Sequence, residues 1–347
     1  MDEFVDFITL DISENSKVPK YKQIADSIAA KVERGSIRSG QKLPSINQLS
    51  TYYLLSRDTV EKAYALLKEK NMIESTPGVG YYISSKHPDS KLKVILLFNK
   101  LSAYKKVIYD QLAEKLRDKA YLSLHVYHCD FGLFKQIMEE NLEGYHYYIL
   151  MPHFSEYDPR ELLKVVSKVP EDKIIVIDNL IKGIDSYFGC VYQNYLEDIF
   201  NALQKLNDKL KAYQKMVLVF PDNNTYPYPY EIVQGFTKFC LFNAFDYEII
   251  SSIKKNHKVK KGNAYVLISE SDLSNLIKLC RMSDFELGMD VGVISYNETV
   301  LKEVLGNGIT VMSTDFDEMG KYTAQMILDS QPIKHKNEFR LILRNSL

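Results

Sequence analysis

The sequence predicts an α/β protein in two parts, a small N-terminal unit of helices closed by a β-hairpin and a two-lobed, Rossmann-like unit of parallel sheets. Three observations carry this. Apolar residues recur at helical spacing from Ile24 to Leu67 and then give way to short β runs on either side of Pro77-Gly78-Val79-Gly80. From Lys93 onward, short Val/Ile/Leu-rich runs alternate with helical patterns, as strands buried on both faces of a parallel sheet do. Finally, 347 residues exceed one ordinary domain, and removing about 85 leaves about 260, enough for two lobes. The expected division is 1–85 for the small unit, 86–91 for a linker and 92–347 for the two lobes.

In the small unit, Ile24, Ile28 and Val32 at i, i+4 and i+8 predict a first helix. Leu43, Ile46 and Leu49 form the apolar face of a second, and Tyr53-Leu54-Leu55 turns the chain. Val60, Ala63, Tyr64 and Leu67 at i, i+3, i+4 and i+7 predict a third. Two short helices joined by a tight turn form a helix-turn-helix, whose second helix enters a DNA major groove. Ser56 is placed to cap that helix, which leaves Arg57, Asp58, Thr59 and Lys62 on the exposed turns that meet bases and phosphates. The hairpin between Ile73 and Ile83 is the wing; Gly78 and Gly80 let its backbone approach another surface closely. With Ser45 and Asn47 at the start of the second helix, the candidate DNA-binding residues are Ser45, Asn47, Arg57, Asp58, Thr59, Lys62, Gly78 and Gly80.

Charge agrees when read locally. The whole chain carries 44 basic and 45 acidic residues, so no global field draws it to nucleic acid. Residues 15–85 hold 11 Lys and Arg against 6 Asp and Glu, a net of +5. So modest an excess implies modest non-specific affinity, and a homodimer on a palindromic double-stranded operator is expected to supply the rest. No run of eighteen apolar residues occurs, and the first residues lack a basic-then-apolar layout. A cytoplasmic protein with no membrane partner is expected. Cys129, Cys190, Cys240 and Cys280 lie far apart without a Cys-x-x-Cys pair, and His125 and His128 would face opposite sides of a strand. Neither pattern implies a metal, and no cofactor is expected.

This stretch resembles the GntR family of bacterial transcription regulators. The resemblance rests on Pro19-Lys20-Tyr21 ahead of the first helix, then on Gly35-x-Ile37-x-x-Gly40-x-x-Leu43-Pro44-Ser45, and it covers about seventy residues. Departures are Asn47 and Glu61, where many members carry Arg. They put the usual operator sequence in doubt rather than DNA binding itself.

Ser84–Lys91 is polar and interrupted by Pro88, the composition of a linker. Beyond it, strands are expected at 94–98, 122–127, 147–151 and 174–177, with helices near 104–119, 131–141 and 159–167. A second set follows, with strands at 216–220, 247–250, 264–268, 291–294 and 310–312 and helices near 230–241, 272–281 and 316–328. Each set is read as one lobe.

This half resembles the effector domain of LacI-type repressors, which is similar to periplasmic sugar-binding proteins. The residues that carry it are Val94-Ile95-Leu96-Leu97-Phe98-Asn99, Ile174-Ile175-Val176-Ile177-Asp178, Gly235-Phe236, Asp290-Val291-Gly292-Val293-Ile294-Ser295-Tyr296-Asn297-Glu298, and Ile309-Thr310-Val311 with Phe316-Asp317-Glu318-Met319-Gly320. The resemblance implies a periplasmic-binding-protein fold and a small-molecule effector, a monosaccharide or derivative. It also implies an Asp at the position of Asn297, so amide replaces charge there, and an Arg where Tyr228-Pro229-Tyr230 stands.

Independently, ligands of open α/β sheets sit beyond the carboxyl ends of the strands. That rule selects Asn99, Tyr104, Asp178, Tyr228, Glu270 and Asn297 as effector-binding, with Asp178 and Asn297 converging from opposite lobes. Carboxylates and amides suit vicinal hydroxyls, and rings cover the apolar face of a sugar. Asp178 could instead cap a turn, and Tyr226-Pro227-Tyr228-Pro229-Tyr230 could be a stacking platform or a rigid surface loop. Lys100, Lys105 and Lys106 are expected in solvent. No nucleophile–base pair or phosphate loop stands out, so no enzyme is expected. The function implied is a ligand-responsive transcription regulator of carbohydrate-utilisation genes, a repressor; the alternatives are a sensor of a non-sugar metabolite and a scaffold that does not bind DNA.

Overall fold

The computed structural model describes residues 9–13, 16, 18–33, 37, 39–84, 91–184, 186–222 and 226–347. Residues 86–90 of the expected linker, Gly35 and residues 223–225 of the Tyr-rich loop region lie outside these.

The small unit contains α1 (Lys20–Glu33), β1 (Lys42–Leu43), α2 (Ile46–Tyr52), α3 (Arg57–Glu69), β2 (Ile73–Thr76) and β3 (Gly80–Ile83). The three strands form an antiparallel sheet in the order β1-β3-β2. Ile24, Ile28, Val32, Val60, Ala63, Tyr64 and Leu67 meet in one core, as their spacing predicts. Leu43 is a correction: it lies not on a helix but in β1, opposite Tyr81, and enters the same core from there. The helix can begin only after it, because Ser45 and Gln48 form a reciprocal capping box that fixes the first turn.

The rest is two six-stranded sheets flanked by helices. The first lobe has the order β14-β8-β7-β6-β4-β5, all parallel: β4 (Leu92–Phe98), β5 (Ala120–Val126), β6 (Tyr147–Leu150), β7 (Ile174–Asp178), β8 (Gly189–Tyr192) and β14 (Lys334–Lys336). Its helices include α4 (Ala103–Leu116), α5 (Phe131–Glu140), α6 (Pro159–Val166) and α12 (Phe316–Asp329). The second lobe runs β10-β9-β11-β12-β13-β15, with β9 (Lys215–Val219), β10 (Asp246–Ile250), β11 (Asn263–Leu267), β12 (Gly292–Tyr296), β13 (Thr310–Thr314) and β15 (Phe339–Ile342). Only β15 is antiparallel to its neighbour. α7 (Tyr195–Lys205), α8 (Asn207–Leu210), α9 (Glu231–Phe242), α10 (Glu270–Met282) and α11 (Val300–Val304) complete it. Among the described residues no helix is long and apolar enough to cross a membrane. The four cysteines are free and buried.

The lobes are not two successive sets. α12 was expected in the second lobe, but Met319, Ala324, Met326 and Ile327 pack into the first-lobe core with Ile108 and Leu112 of α4. The chain therefore crosses between lobes three times, near Gln193, Asp315 and Asn337. Backbone and amide hydrogen bonds lash the crossings together. The Asn337 N–H donates to Tyr192 O at 2.8 Å, its Nδ2 to Asp315 O at 2.9 Å, and the Asp315 N–H to Glu338 O at 3.0 Å. Close packing of α12 on α4 depends on Gly320, where a Cβ would fall 2.7 Å from Gln111 Cβ and 3.0 Å from the Ile108 carbonyl oxygen.

Gly320→Ala should therefore lower the urea midpoint. Overpacking costs about 1–3 kcal/mol, and the roughly 1 kcal/mol that Ala gains in a helix offsets only part of it. An unchanged or raised midpoint would mean that α4 yields freely.

Candidate functional site

Two sites emerge, one in the small unit and one between the lobes. In the first, Ser56 caps α3, accepting from the Thr59 N–H at 3.2 Å, while its hydroxyl lies 2.7 Å from that of Thr59. Buried Tyr64 ties α3 to the segment between β1 and α2 by donating to Pro44 O at 2.7 Å. Arg57 and Lys62 stay on the exposed surface. They rest against their own helix, Lys62 Nζ 2.7 Å from Asp58 Oδ2 and Arg57 4.0 Å from Glu61. Asp58 is thus the internal partner of a cation, and its hydrogen bond raises the Lys62 pKa. Ser45 spends its hydroxyl on the Gln48 N–H at 3.2 Å, so it orients α2, while Asn47 beside it is exposed. The wing turns at Gly78 (φ +76°) and Gly80 (φ +136°), conformations that favour glycine, and holds Val79 out to solvent.

The second site centres on Asp178, at the carboxyl end of β7. Its side chain is almost fully buried, and four protein donors occupy it. His153 Nε2 lies 2.9 Å and Lys105 Nζ 3.5 Å from Oδ2; the Tyr195 hydroxyl donates to Oδ1 at 2.8 Å, and Gln193 Nε2 donates to the same oxygen. Burial alone would raise the carboxyl pKa, but the surrounding charge and hydrogen bonds outweigh it and hold it well below the usual carboxylate range. Burial pushes His153 below its ordinary value, so at neutral pH we assign it as the neutral Nε2–H donor. Tyr127 fixes the His153 loop, its hydroxyl donating to Met151 O at 2.5 Å and accepting from the His153 N–H at 3.0 Å.

Around this core lie Asn99, whose Oδ1 accepts from Lys105 Nζ at 2.6 Å, and a set of rings. Lys100 Nζ sits 3.3 Å from the centroid of Tyr226, with Tyr104 and Tyr228 at 5.9 and 5.8 Å. Tyr226 packs edge-on against Tyr228 at 4.5 Å, and Tyr104 stacks on Phe316 at 5.0 Å. Tyr230 is exposed, so of the three tyrosines of this loop Tyr226 and Tyr228 are the ones that face Lys100.

Residues 20–83 match the family of bacterial regulatory proteins called gntR. The HTH-type transcriptional repressor YtrA of Bacillus subtilis is 30% identical over 117 residues, which cover 34% of this chain and 83% of YtrA. The chain belongs to the gntR family. It is a DNA-binding transcription regulator. A second relative, the mannosyl-D-glycerate transport/metabolism system repressor MngR of Escherichia coli, is 40% identical over 65 residues, 19% of this chain and 27% of MngR. For the two-lobed part, a LacI family transcriptional regulator, CCPA of Weissella paramesenteroides, solved with bound sucrose, superposes with a TM-score of 0.58 at 15% identity. The match covers 74% of this chain and 98% of that one, and it establishes a LacI-like fold.

In this gntR-family regulator, Asn99, Tyr104, Asp178 and Tyr228 lie around one cleft, about Lys100 and Lys105. Glu270 is exposed on the first turn of α10 and faces Lys100 and Lys302 through charge. Asn297 directly follows β12 with left-handed backbone (φ 60°), the same region in which Asp178 ends β7 (φ 73°). Its carbonyl accepts from buried Lys302 at 2.5 Å, while its side-chain Oδ1 is buried without a hydrogen-bond partner. Two expectations are corrected. Asp178 does not offer free acceptors to a ligand, since protein donors fill both oxygens. Lys105 is buried and Lys100 half-buried, not solvated; only Lys106 behaves as expected, paired with Asp110 on the surface. Gln193 and Tyr195 escaped sequence reading, but Lys105 need not have: it shares the apolar register of Ile108, Leu112 and Leu116 on α4.

Because the α3 pairs are exposed, a phosphate or base can exchange for either carboxylate at little cost. Arg57→Ala should weaken operator binding by about 1–3 kcal/mol and relax specificity at one position per half-site. Lys62→Ala should weaken all sequences alike and reduce the salt slope by about one. Fluorescence anisotropy with DNA at several salt concentrations measures both, and wild-type behaviour in both variants would remove α3 from the interface.

Proposed function

We propose that this chain is a carbohydrate-responsive repressor, in which a small polyhydroxylated effector enters between the lobes and changes how a homodimer holds its two winged helices on a palindromic operator. The observation that carries the proposal is the buried network around Asp178. Desolvating so many polar groups is costly, and here they gather beside aromatic rings at the carboxyl ends of the strands, where open α/β sheets bind ligands. The repressor names of YtrA and MngR, and the sucrose held by the LacI family regulator, support the same reading.

Under this reading six of the eight candidate residues of the small unit contact DNA, in two ways. Arg57, Thr59, Lys62 and Asn47 face bases or phosphates, and Gly78 and Gly80 bring the wing to the backbone. Ser45 orients α2, and Asp58 holds Lys62 on the surface of α3. In the cleft, Asn99, Tyr104, Tyr228, Glu270 and Asn297 meet the effector, and Asp178 acts through the donors that it holds in place. The orphan Oδ1 of Asn297 is a buried acceptor that a ligand hydroxyl would satisfy.

Asp178→Ala and Asn297→Ala should both retain operator binding and lose the response to sugar. Asp178→Ala should also destabilise the two-lobed unit by about 3–5 kcal/mol, since Lys105 remains buried without its counter-charge, whereas Asn297→Ala removes no charge. Sugar titrations against operator-bound wild type and variants read the response. Normal release from DNA in both variants would place the effector elsewhere.

A further inference from the structure

The cleft holds a cation that no carboxylate touches. Two lysines enter it; Asp178, the buried carboxylate, pairs with Lys105, and Glu270 at the rim is exposed. Lys105 is fully engaged, by Asn99 Oδ1 at 2.6 Å, Met151 Sδ at 2.9 Å and Asp178 Oδ2 at 3.5 Å. Lys100 is not. Among the described residues it has no ion pair or hydrogen bond, and its ammonium rests on the face of Tyr226 at 3.3 Å, with the rings of Tyr104 and Tyr228 flanking it. The remaining acceptor capacity of Asp178 is taken by Gln193, Tyr195 and neutral His153, so that carboxylate cannot turn to Lys100 without abandoning them. Glu270 lies on the exposed first turn of α10 and acts on Lys100 only at a distance.

A half-buried ammonium held by rings alone is poorly compensated. Burial, then repulsion from Lys105, lowers the Lys100 pKa to about 8. A surface lysine would swing into water; this one is enclosed by Tyr226 from the second lobe. An incoming anion would exchange a cation–ring contact for charge-assisted hydrogen bonds in a partly dry site, which are the stronger of the two. It would also offset the repulsion that Lys105 exerts on Lys100. Tyr104 and Tyr228 would remain as walls for the apolar face of the ligand.

We propose that the effector is an anionic carbohydrate, bearing a carboxylate or a phosphate monoester, and that this group replaces Tyr226 on the ammonium of Lys100. The inference rests on the carbohydrate reading given above and narrows it to one chemical class. A neutral sugar would leave Lys100 as it is and would have to fit beneath the Tyr226 ring.

The test uses the full chain and a panel of hexoses and pentoses, each as the neutral sugar, its terminal phosphate ester and its aldonate. Thermal shift identifies binders and calorimetry measures them. At least one anionic form should bind about tenfold or more tightly than its neutral parent. Whether the ester or the aldonate prevails identifies the anion. Lys100→Met, which keeps the contact with the rings, should abolish the preference, and Lys100→Arg should keep it; the melting temperature of each free variant reports that it has folded. If a neutral sugar binds as well as its charged forms, or if the preference survives in Lys100→Met, the anionic effector is wrong and the carbohydrate reading stands. If no member of the panel binds, both fall.

Discussion

One buried carboxylate ties together the segments that meet in the two-lobed unit. Removing a charge from water costs several kcal/mol, and only close opposite charge and well-placed donors repay it. Asp178 has both, and its donors come from separate parts of the chain: Lys105 from α4, His153 from the loop after β6, and Gln193 and Tyr195 from the first crossing into the second lobe. Gln193 in turn accepts from Thr314 at the second crossing. The carboxylate thus belongs at once to the cleft and to the hinge. A ligand that disturbs Lys105 or His153 cannot leave the crossings untouched.

Ion pairs serve opposite ends in the two halves of the protein. On α3 they are exposed and contribute about 0–1 kcal/mol, so Arg57 and Lys62 can leave Glu61 and Asp58 for a DNA phosphate with little loss. In the cleft, the pair of Lys105 with Asp178 is shielded from water, and breaking it strands a charge. Weak pairs suit a surface that must exchange partners. A buried pair suits a junction that must hold its shape.

Much of this was legible in the sequence. The periodicity of α1 and α3, the Ser56 cap, the glycine-turned wing and most of the core strands could be read because each is a local pattern with a local cause. The exchange of segments between lobes could not. α12 looks the same whichever sheet it covers, and β14 and β15 are short, with mixed exposure, so they lack the apolar run of a central strand. The site was half legible. Asp178 and Asn297 are marked by their position at strand ends, but the donors that saturate Asp178 come together only through the crossings. Lys100 and Lys105 misled because lysine is so rarely buried; the helical register of Lys105 was the signal that composition overrode.

The distance between the lobes tests the central claim most directly, that Asp178 holds the hinge. Spin labels at exposed positions on α6 and α10, introduced as Lys164→Cys and Lys278→Cys, would report it without disturbing the four buried native cysteines. The account predicts one narrow distance distribution for the otherwise wild-type chain and a broad or displaced one once Asp178→Asn removes the charge. Identical distributions would show that the crossings hold the lobes without it.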